Sequence, residues 1–157
     1  MTQDEFISRT EQIKSRLYRT AFVYLGSEAY ALDAVDEAVY KGLMSLKKLR
    51  QPEFFETWLT RILINVCKKV LKRRKREQPL DSIELQNMQD SGCFDSLPLK
   101  DAIHRLPQEL REVIVLRYFS DFTLAATAQI LGIPQGTAVT RQRRALQILR
   151  LELEENS

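Results

Sequence analysis

The sequence predicts an all-α protein made of two small helical domains joined by a flexible linker. Apolar residues recur at three- and four-residue steps through most of its 157 residues, and no alternating strand pattern of convincing length is present. Only five glycines and five prolines interrupt the helical pattern, and a hydrophobic fraction of 44% is enough for a packed core. A polar, acidic stretch separates the two helical regions.

This central stretch sets the predicted domain boundaries. Residues 77–97 (EQPLDSIELQNMQDSGCFDSL) keep no helical period and contain five acids and no base, whereas seven of the nine residues before them (KKVLKRRKR) are basic. A structureless segment of about twenty residues is too long for a loop inside one compact domain. We therefore place a first domain at residues 1–76, a linker at 77–97 and a second domain at 98–157.

The first domain should begin with two amphipathic helices. One is predicted from Asp4 to Leu25, with its end near Gly26, and the other from Glu28 to about Leu49. The second helix should bury five apolar residues: Leu32, Val35, Val39, Leu43 and Leu46. Its opposite side carries Asp33, Asp36, Glu37 and Tyr40. Acids in the first turns suit the helix dipole, so stabilisation is the simplest role for them.

A third helix, starting at Pro52, carries the first indication of nucleic-acid binding. Its core stripe should be Phe55, Leu59, Ile62, Val66 and Val70. A separate face carries Trp58, Arg61, Asn65, Lys68 and Lys72. Rings stack on unpaired bases, amides bond base edges and cations offset phosphate charge, so this face suits single-stranded nucleic acid. The alternative is that Trp58 belongs to the core and the basic run is a solvated helix end.

The stretch from Asp121 to Arg150 predicts a helix-turn-helix. Thr123 can cap a short helix that ends at Gly132, and Pro134 can start a longer one. One stripe of the longer helix holds Ala138, Gln142, Ala145 and Leu149, and another holds Thr137, Thr140, Arg141, Arg144 and Gln147. In this plan the second helix enters the DNA major groove, where arginine can bind guanine. A helical hairpin with a solvated basic face is the alternative.

The sequence gives little support for catalysis or for a metal site. Cys67 and Cys93 are isolated, His104 is expected at the surface, and no carboxylate pair or glycine-rich phosphate loop stands out. We expect no enzyme activity, no cofactor and no small-molecule substrate. The N-terminus lacks signal-peptide design and no run of eighteen apolar residues occurs, so we expect a cytoplasmic chain.

Four motifs together resemble a known family. They are LDAVDEAVYKGL, FFETWLTRILINVCKKVLKRRKR, LPQELREVIVLRYF and ILGIPQGTAVTRQRRAL. Their order and separations are similar to those of an extracytoplasmic-function (ECF) sigma factor of bacterial RNA polymerase, over nearly the whole chain. The resemblance implies a first domain that binds the clamp helices of the largest polymerase subunit and melts and reads the promoter −10 element. It also implies a linker that threads the polymerase and a second domain that binds the flap and reads the −35 element.

The resemblance also assigns residues to these roles. The polymerase-binding positions are Asp33, Val35, Asp36 and Glu37, with Asp36 where glutamine is common and Tyr30 in place of an acid. The −10 positions are Phe54, Phe55, Trp58, Arg61, Asn65 and Lys68. The −35 positions are Thr137, Thr140, Arg141, Arg143 and Arg144. Departures from the family pattern stand at Ala125, Ala126, Thr127, Val139 and Gln142.

The expected partners follow from the same resemblance. They are core RNA polymerase, promoter DNA and a membrane-anchored anti-sigma factor that covers the polymerase-binding surfaces, in a stress or envelope response. A helix-turn-helix regulator that acts without polymerase is the alternative. It does not explain the separate face with Trp58 and Asn65, or the long linker. An enzyme acting on nucleic acid is disfavoured for lack of a catalytic constellation.

Overall fold

The computed structural model describes residues 1–77 and 97–155, and every regular element in these ranges is a helix. This confirms the all-α prediction. The first domain contains α1 (Gln3–Leu25), α2 (Glu28–Met44) and α3 (Phe55–Glu77). Two single turns of 3₁₀ helix, Leu46–Lys48 and Pro52–Phe54, connect α2 to α3. The second helix was predicted to reach about Leu49, but it ends at Met44. A separate 3₁₀ turn covers Leu46–Lys48.

A polar side chain caps the start of α1, and a glycine ends it. The hydroxyl of Thr2 accepts a hydrogen bond from the Glu5 amide at 3.1 Å, which satisfies one of the free donors of the first turn. The helix ends at Gly26, whose φ of 72° lies in the left-handed region. The end predicted near Gly26 is confirmed.

Small residues bring α2 close to its neighbours. Its buried positions are Ala31, Ala34, Val35, Ala38 and Gly42. A Cβ atom added at Gly42 would lie 2.8 Å from Leu59 Cδ1, so the backbone of α2 comes very close to α3 there. The predicted burial of Leu32 is wrong, because this side chain is 50% exposed. The alanines form the buried stripe, while Val39, Leu43 and Leu46 are only partly buried.

The second domain contains α4 (Leu97–Arg105), α5 (Gln108–Ile114), α6 (Leu124–Leu131) and α7 (Gln135–Glu155), and α5 continues into a π-helical turn, Val115–Phe119. The Thr123 hydroxyl accepts from the Ala126 amide at 3.1 Å, and Gly132 ends α6 with a φ of 68°. The predicted helix-turn-helix, including its cap and its turn glycine, is confirmed.

The two helical regions pack against each other, and their buried residues form one continuous core. Tyr24 at the end of α1 donates a hydrogen bond to Glu112 of α5 at 3.1 Å. Arg111 donates to the Tyr24 carbonyl at 3.3 Å, and Arg16 donates to the Ser120 carbonyl at 2.7 Å. Residues 78–96 of the predicted linker lie outside the described residues. The boundaries at 1–76, 77–97 and 98–157 stay a prediction.

His104 and Cys67 take part in this packing. His104, expected at the surface, is half-buried with its ring over Gly26, where an added Cβ would lie 2.0 Å from Nε2. The surface prediction for His104 is therefore wrong. Cys67 is buried in α3, and burial raises the pKa of its thiol well above the ordinary value of 9.0. No helix in the described ranges is both long and apolar enough to span a bilayer.

Candidate functional site

The outward side of α2 presents an acidic face, defined here as Asp33, Asp36 and Glu37. Asp33 and Asp36 are exposed, whereas Glu37 is half-buried and lies 3.9 Å from Lys41. Val35 is only 3% exposed, which confirms its predicted burial, and its place among the polymerase-binding positions stays a prediction. Its side chain belongs to the core and supports the acidic face from beneath.

A cavity of about 290 Å³ opens beside the acidic face. Its lining residues are Tyr30, Asp33, Ala34, Glu37, Val70, Arg73 and Arg74. Arg74 is buried, with its guanidinium 4.3 Å from the centre of the Tyr30 ring and a hydrogen bond of 3.0 Å to the Leu25 carbonyl. At least one member of the basic run is therefore a packing residue. The cavity offers both signs of charge around an aromatic ring.

The aromatic residues at the start of α3 divide between the core and the surface. Phe55 is 1% exposed and meets the Phe6 ring edge to face at 5.6 Å, so its assignment as a −10 contact is corrected to a core role. Phe54 is 44% exposed. Trp58 is half-buried, with its ring 6.4 Å from that of Phe55. The indole therefore rests on the core and keeps part of its surface accessible.

Trp58 forms part of a cavity of about 390 Å³, called here the Trp58 cavity. It is lined by Lys48, Leu49, Arg50, Gln51, Phe54, Thr57, Trp58, Arg61 and Gln129. Aromatic walls, an amide and several cations are the groups that hold an unpaired base and its phosphate. Gln129 comes from α6, so the second domain forms one wall of this cavity.

Asn65 is exposed but lines a different cavity, of about 330 Å³. Its neighbours there include Tyr40 and Met44, which are 64% and 68% exposed, and Lys69. The structure therefore does not bring the predicted −10 residues into one site. Tyr40 and Met44 were not predicted as site residues, although the outward position of Tyr40 on α2 was a usable signal.

The second domain covers part of the α3 face. Lys68 Nζ lies 3.4 Å from Glu112 Oε1, and the Glu112 side chain is only 4% exposed. The guanidinium of Arg61 lies against the end of α6, where an added Cβ at Gly132 would be 3.4 Å from Nη2. Lys68 is thus paired with a carboxylate of the second domain, whereas Arg61 is exposed and lies near the end of α6.

The recognition helix α7 presents its basic face to solvent. Thr140, Arg143 and Arg144 are exposed, and Thr137 is half-buried. The Thr140 hydroxyl donates to the Gly136 carbonyl at 3.0 Å. Arg141 is more enclosed, since its side chain is 26% exposed and Nη2 lies 3.9 Å from Glu109 Oε2.

The structure accounts for the departure from the family pattern at Gln142. Gln142 Oε1 accepts a hydrogen bond of 2.9 Å from Arg117 Nε, and Arg117 also donates to the Phe122 carbonyl at 2.8 Å. A polar residue at position 142 therefore joins α7 to the turn before α6. Thr127 is fully buried within α6.

Comparison with protein families and known sequences agrees with this geometry. The model of sigma-70 region 2 matches residues 10–77, and the model of sigma-70 region 4 matches residues 102–151. The chain is 32% identical over 142 residues to the RNA polymerase sigma factor SigV of Bacillus subtilis (strain 168), covering 89% of this chain and 86% of SigV. It is 28% identical over 170 residues to the ECF RNA polymerase sigma factor SigW of the same strain, covering 98% of this chain and 91% of SigW.

A solved structure shares the fold. It is the sigma factor RpoE in complex with the anti-sigma factor NepR from Bartonella quintana, with a TM-score of 0.77, 23% identity and coverage of 96% of this chain and 97% of that chain. Both sigma-70 regions occur in the expected order, and the similarity to SigV extends over most of both chains. The chain belongs to the extracytoplasmic-function sigma factors of the sigma-70 family.

Proposed function

We propose that this sigma factor binds core RNA polymerase through the acidic face of α2 and directs it to promoters with two separate DNA-binding surfaces. The observation that carries the proposal is the presence of two different DNA-type surfaces on one chain. The exposed basic face of α7 suits duplex DNA, and the aromatic and basic cavities of α3 suit unpaired bases. A regulator acting on duplex DNA alone has no use for the second surface.

The −35 element is read by α7 in this proposal. Arg143 and Arg144 are exposed and can reach guanine edges or phosphates, while Thr140 can contact either. Arg141 is drawn toward Glu109, which favours a phosphate contact beside the groove. Thr137 lies at the N-terminal end of the helix, the end that contacts bases in helix-turn-helix proteins.

The −10 element is opened and read by the α3 surface. An unpaired base can stack against Trp58 and Phe54, and Arg61 and Lys68 can bind the phosphates around it. Asn65 offers hydrogen bonds to a second nucleotide at the neighbouring cavity. Extruding a base costs a few kcal/mol, which such cavities must return.

Each domain has its own polymerase contact in this proposal. The acidic face of α2 carries charges that suit basic groups on the polymerase clamp helices, and the second domain would bind the flap. We also propose an anti-sigma factor, anchored in the membrane, as the regulator of this cytoplasmic chain. The shared fold with RpoE, which was crystallised with the anti-sigma factor NepR, supports the regulator but not its membrane anchor.

The decisive experiment reverses the acidic face. Asp33→Lys with Glu37→Lys should abolish binding to core polymerase in a pull-down, while the melting temperature and helicity stay nearly unchanged, because Asp33 is exposed and Glu37 is half-buried. The control variant, Glu5→Lys with Glu11→Lys, makes the same charge change on exposed positions of α1 and should still bind.

Two outcomes would contradict the proposal. Normal polymerase binding by the α2 variant would leave these acids with only a helix-dipole role. Strong sequence-specific binding to duplex promoter DNA by the free chain, without polymerase, would favour the regulator instead.

A further inference from the structure

We propose that the cavity beside the acidic face, between α2 and α3, binds a small zwitterion, a molecule with an ammonium group at one end and a carboxylate or phosphate at the other. This cavity, called here the Tyr30 cavity, has a volume of about 290 Å³. Because Asp33 and Glu37 line it, the bound zwitterion would compete with RNA polymerase for these two acids. The competition rests on the proposed function, whereas binding of the zwitterion itself does not.

The α3 side of the Tyr30 cavity supplies groups that bind an anion. Arg74 is only 7% exposed, and its guanidinium is held 4.3 Å from the centre of the Tyr30 ring. Its one hydrogen bond within the described residues runs from Nη1 to the Leu25 carbonyl at 3.0 Å, so Nε and Nη2 keep unused donors. Arg73 is exposed and lines the same cavity. A fixed guanidinium with unused donors, beside a second cation, suits a carboxylate or a phosphate.

The α2 side supplies groups that bind a cation. Asp33 and Glu37 lie one helical turn apart, and both line the cavity. Among the residues that the structure describes, no ion pair joins either acid to Arg73 or Arg74, and the nearest cation to Glu37 is Lys41 of its own helix at 3.9 Å. The two acids and the two arginines therefore line one space without neutralising each other. A ligand that carries both charges can pair with both sides.

The charge pattern and the volume together define the class of ligand. The α2 acids would repel a polyanion such as a nucleic acid, and the arginines would repel a simple cation. Val70 and Ala34 are buried and add apolar surface to the cavity, which suits a short hydrocarbon segment in the ligand. The volume is at the lower end of the range for ligand cavities, so the ligand should be about the size of an amino acid.

A zwitterion in this cavity would act on the polymerase surface directly. Its ammonium group would pair with Asp33 and Glu37, which the proposed function assigns to basic groups of the polymerase clamp helices. The same carboxylates cannot serve both partners in one geometry. Binding of the small molecule should therefore weaken binding of polymerase.

The probe for the site is 5-aminopentanoate, which carries an ammonium and a carboxylate at the two ends of a short hydrocarbon chain. Pentylamine and pentanoate carry one of these charges each and are the matched controls. In NMR titrations of the full chain, 5-aminopentanoate should shift the amide signals of Ala34 and Val70 saturably, with a Kd of about 1 mM or tighter. Each control should bind at least about tenfold more weakly. Non-specific attraction would favour the controls, because the zwitterion has no net charge.

Two variants test the two sides of the cavity separately. Arg73→Gln and Asp33→Asn each remove one charge from an exposed side chain that lines the cavity, and each should weaken 5-aminopentanoate binding about tenfold. Arg76→Gln and Glu28→Gln make the same charge changes at exposed positions of α3 and α2 outside the cavity lining, so they should bind like the native chain. Equal affinity in all four variants, or the absence of saturable shifts in the native chain, would overturn the site.

The competition has its own readout in a pull-down of core polymerase. At a concentration that saturates the native chain but not Arg73→Gln, 5-aminopentanoate should lower retention of the native chain about threefold or more. Retention of Arg73→Gln, relative to its own value without the compound, should change little. Saturable binding without loss of retention would overturn the competition and leave the site in place. Failure of the proposed function differs from this result, because Asp33→Lys with Glu37→Lys would then still bind polymerase.

Discussion

The basic faces of α3 and α7 have similar chemistry but differ in access. Arg143 and Arg144 of α7 are exposed, as is Arg61 of α3, whereas Lys68 of α3 is half-buried with its Nζ 3.4 Å from Glu112 Oε1 of the second domain. The basic face of α7 is therefore open to solvent, whereas Lys68 on the α3 face is paired with a carboxylate of the second domain. Basic composition alone does not distinguish these two states. The difference arises from residues about forty or more positions apart in sequence that meet only in the folded chain.

The largest expected effect comes from two glycines that lie beside residues of the other domain. Gly26 and Gly132 both end helices with positive φ, so an alanine at either position costs about 1–2 kcal/mol in backbone strain. At Gly26 the new methyl group would also overlap His104 of the second domain, whereas at Gly132 it meets only the end of the Arg61 side chain. Overlap in a packed site adds about 1–3 kcal/mol. Urea unfolding should show Gly26→Ala to be the more destabilising of the two.

These two variants also test the packing of the first domain against the second. Gly26→Ala should increase the radius of gyration, because the overlapping His104 ring is half-buried and belongs to the second domain. Gly132→Ala should not, since the flexible guanidinium of Arg61 can shift alone. Equal losses of stability with equal radii of gyration would mean that His104 does not contribute to the packing between the two domains.

Sequence periodicity predicts the structural features that depend on residues close together in the chain. The caps at Thr123, Gly26 and Gly132 follow from local backbone chemistry, and the structure confirms all three. The interpretation of α2 is wrong at Leu32, because a stripe of alanines and Gly42 allows closer packing than a stripe of large residues. The sequence pattern identifies large hydrophobic side chains as the buried ones. It does not show how closely two helices approach each other, and a close approach requires small side chains.

Sequence analysis is also limited where a residue fits two possible roles. Phe55 fits both the core stripe and the −10 motif, and only the structure shows that it is buried. Lys68 and Arg61 are where the helical pattern predicts them, on one side of α3. Their partners Glu112 and Gly132 belong to the second domain, and the periodicity of α3 contains no information about them. The candidate surface was therefore predictable, but its contacts with the second domain were not.

The next largest effect is expected at the recognition helix. Arg144→Ala should cost about 1–3 kcal/mol at the preferred −35 sequence and relax preference at one position, because the exposed guanidinium can bind a guanine edge. Arg141→Ala should weaken binding to all sequences alike, since Glu109 draws this side chain toward a phosphate position. Binding selections on randomised −35 duplexes with reconstituted holoenzyme distinguish these outcomes. Unaltered selection by both variants would place the basic face outside the groove.

A smaller effect is expected from Asn65→Ala at the exposed side of α3. Loss of its hydrogen bonds to an unpaired base should reduce promoter opening by about 1 kcal/mol, while closed-complex formation is nearly unchanged. Permanganate reactivity of −10 thymines in the reconstituted holoenzyme measures this directly. A pre-melted bubble should rescue a melting defect but not a base-reading defect. Gln12→Ala, an exposed amide on α1, is the control, and equal reactivity in both variants would assign Asn65 to the surface only.

The smallest effect is a gain at Val139, where the family usually carries a basic residue. Val139 is half-buried beside the exposed Thr140, so a lysine can extend from this position toward the DNA backbone without disturbing the core stripe at Ala138 and Ala145. Val139→Lys should add about one phosphate contact, which steepens the salt dependence of duplex binding by about one unit and improves affinity by less than about 1 kcal/mol. Ile7→Lys adds the same charge at an exposed position of α1 and should change neither quantity, because it is not on the recognition helix. A titration of duplex affinity against salt separates the local contact from the effect of net charge. Equal salt slopes for the two variants would mean that position 139 does not approach the DNA backbone.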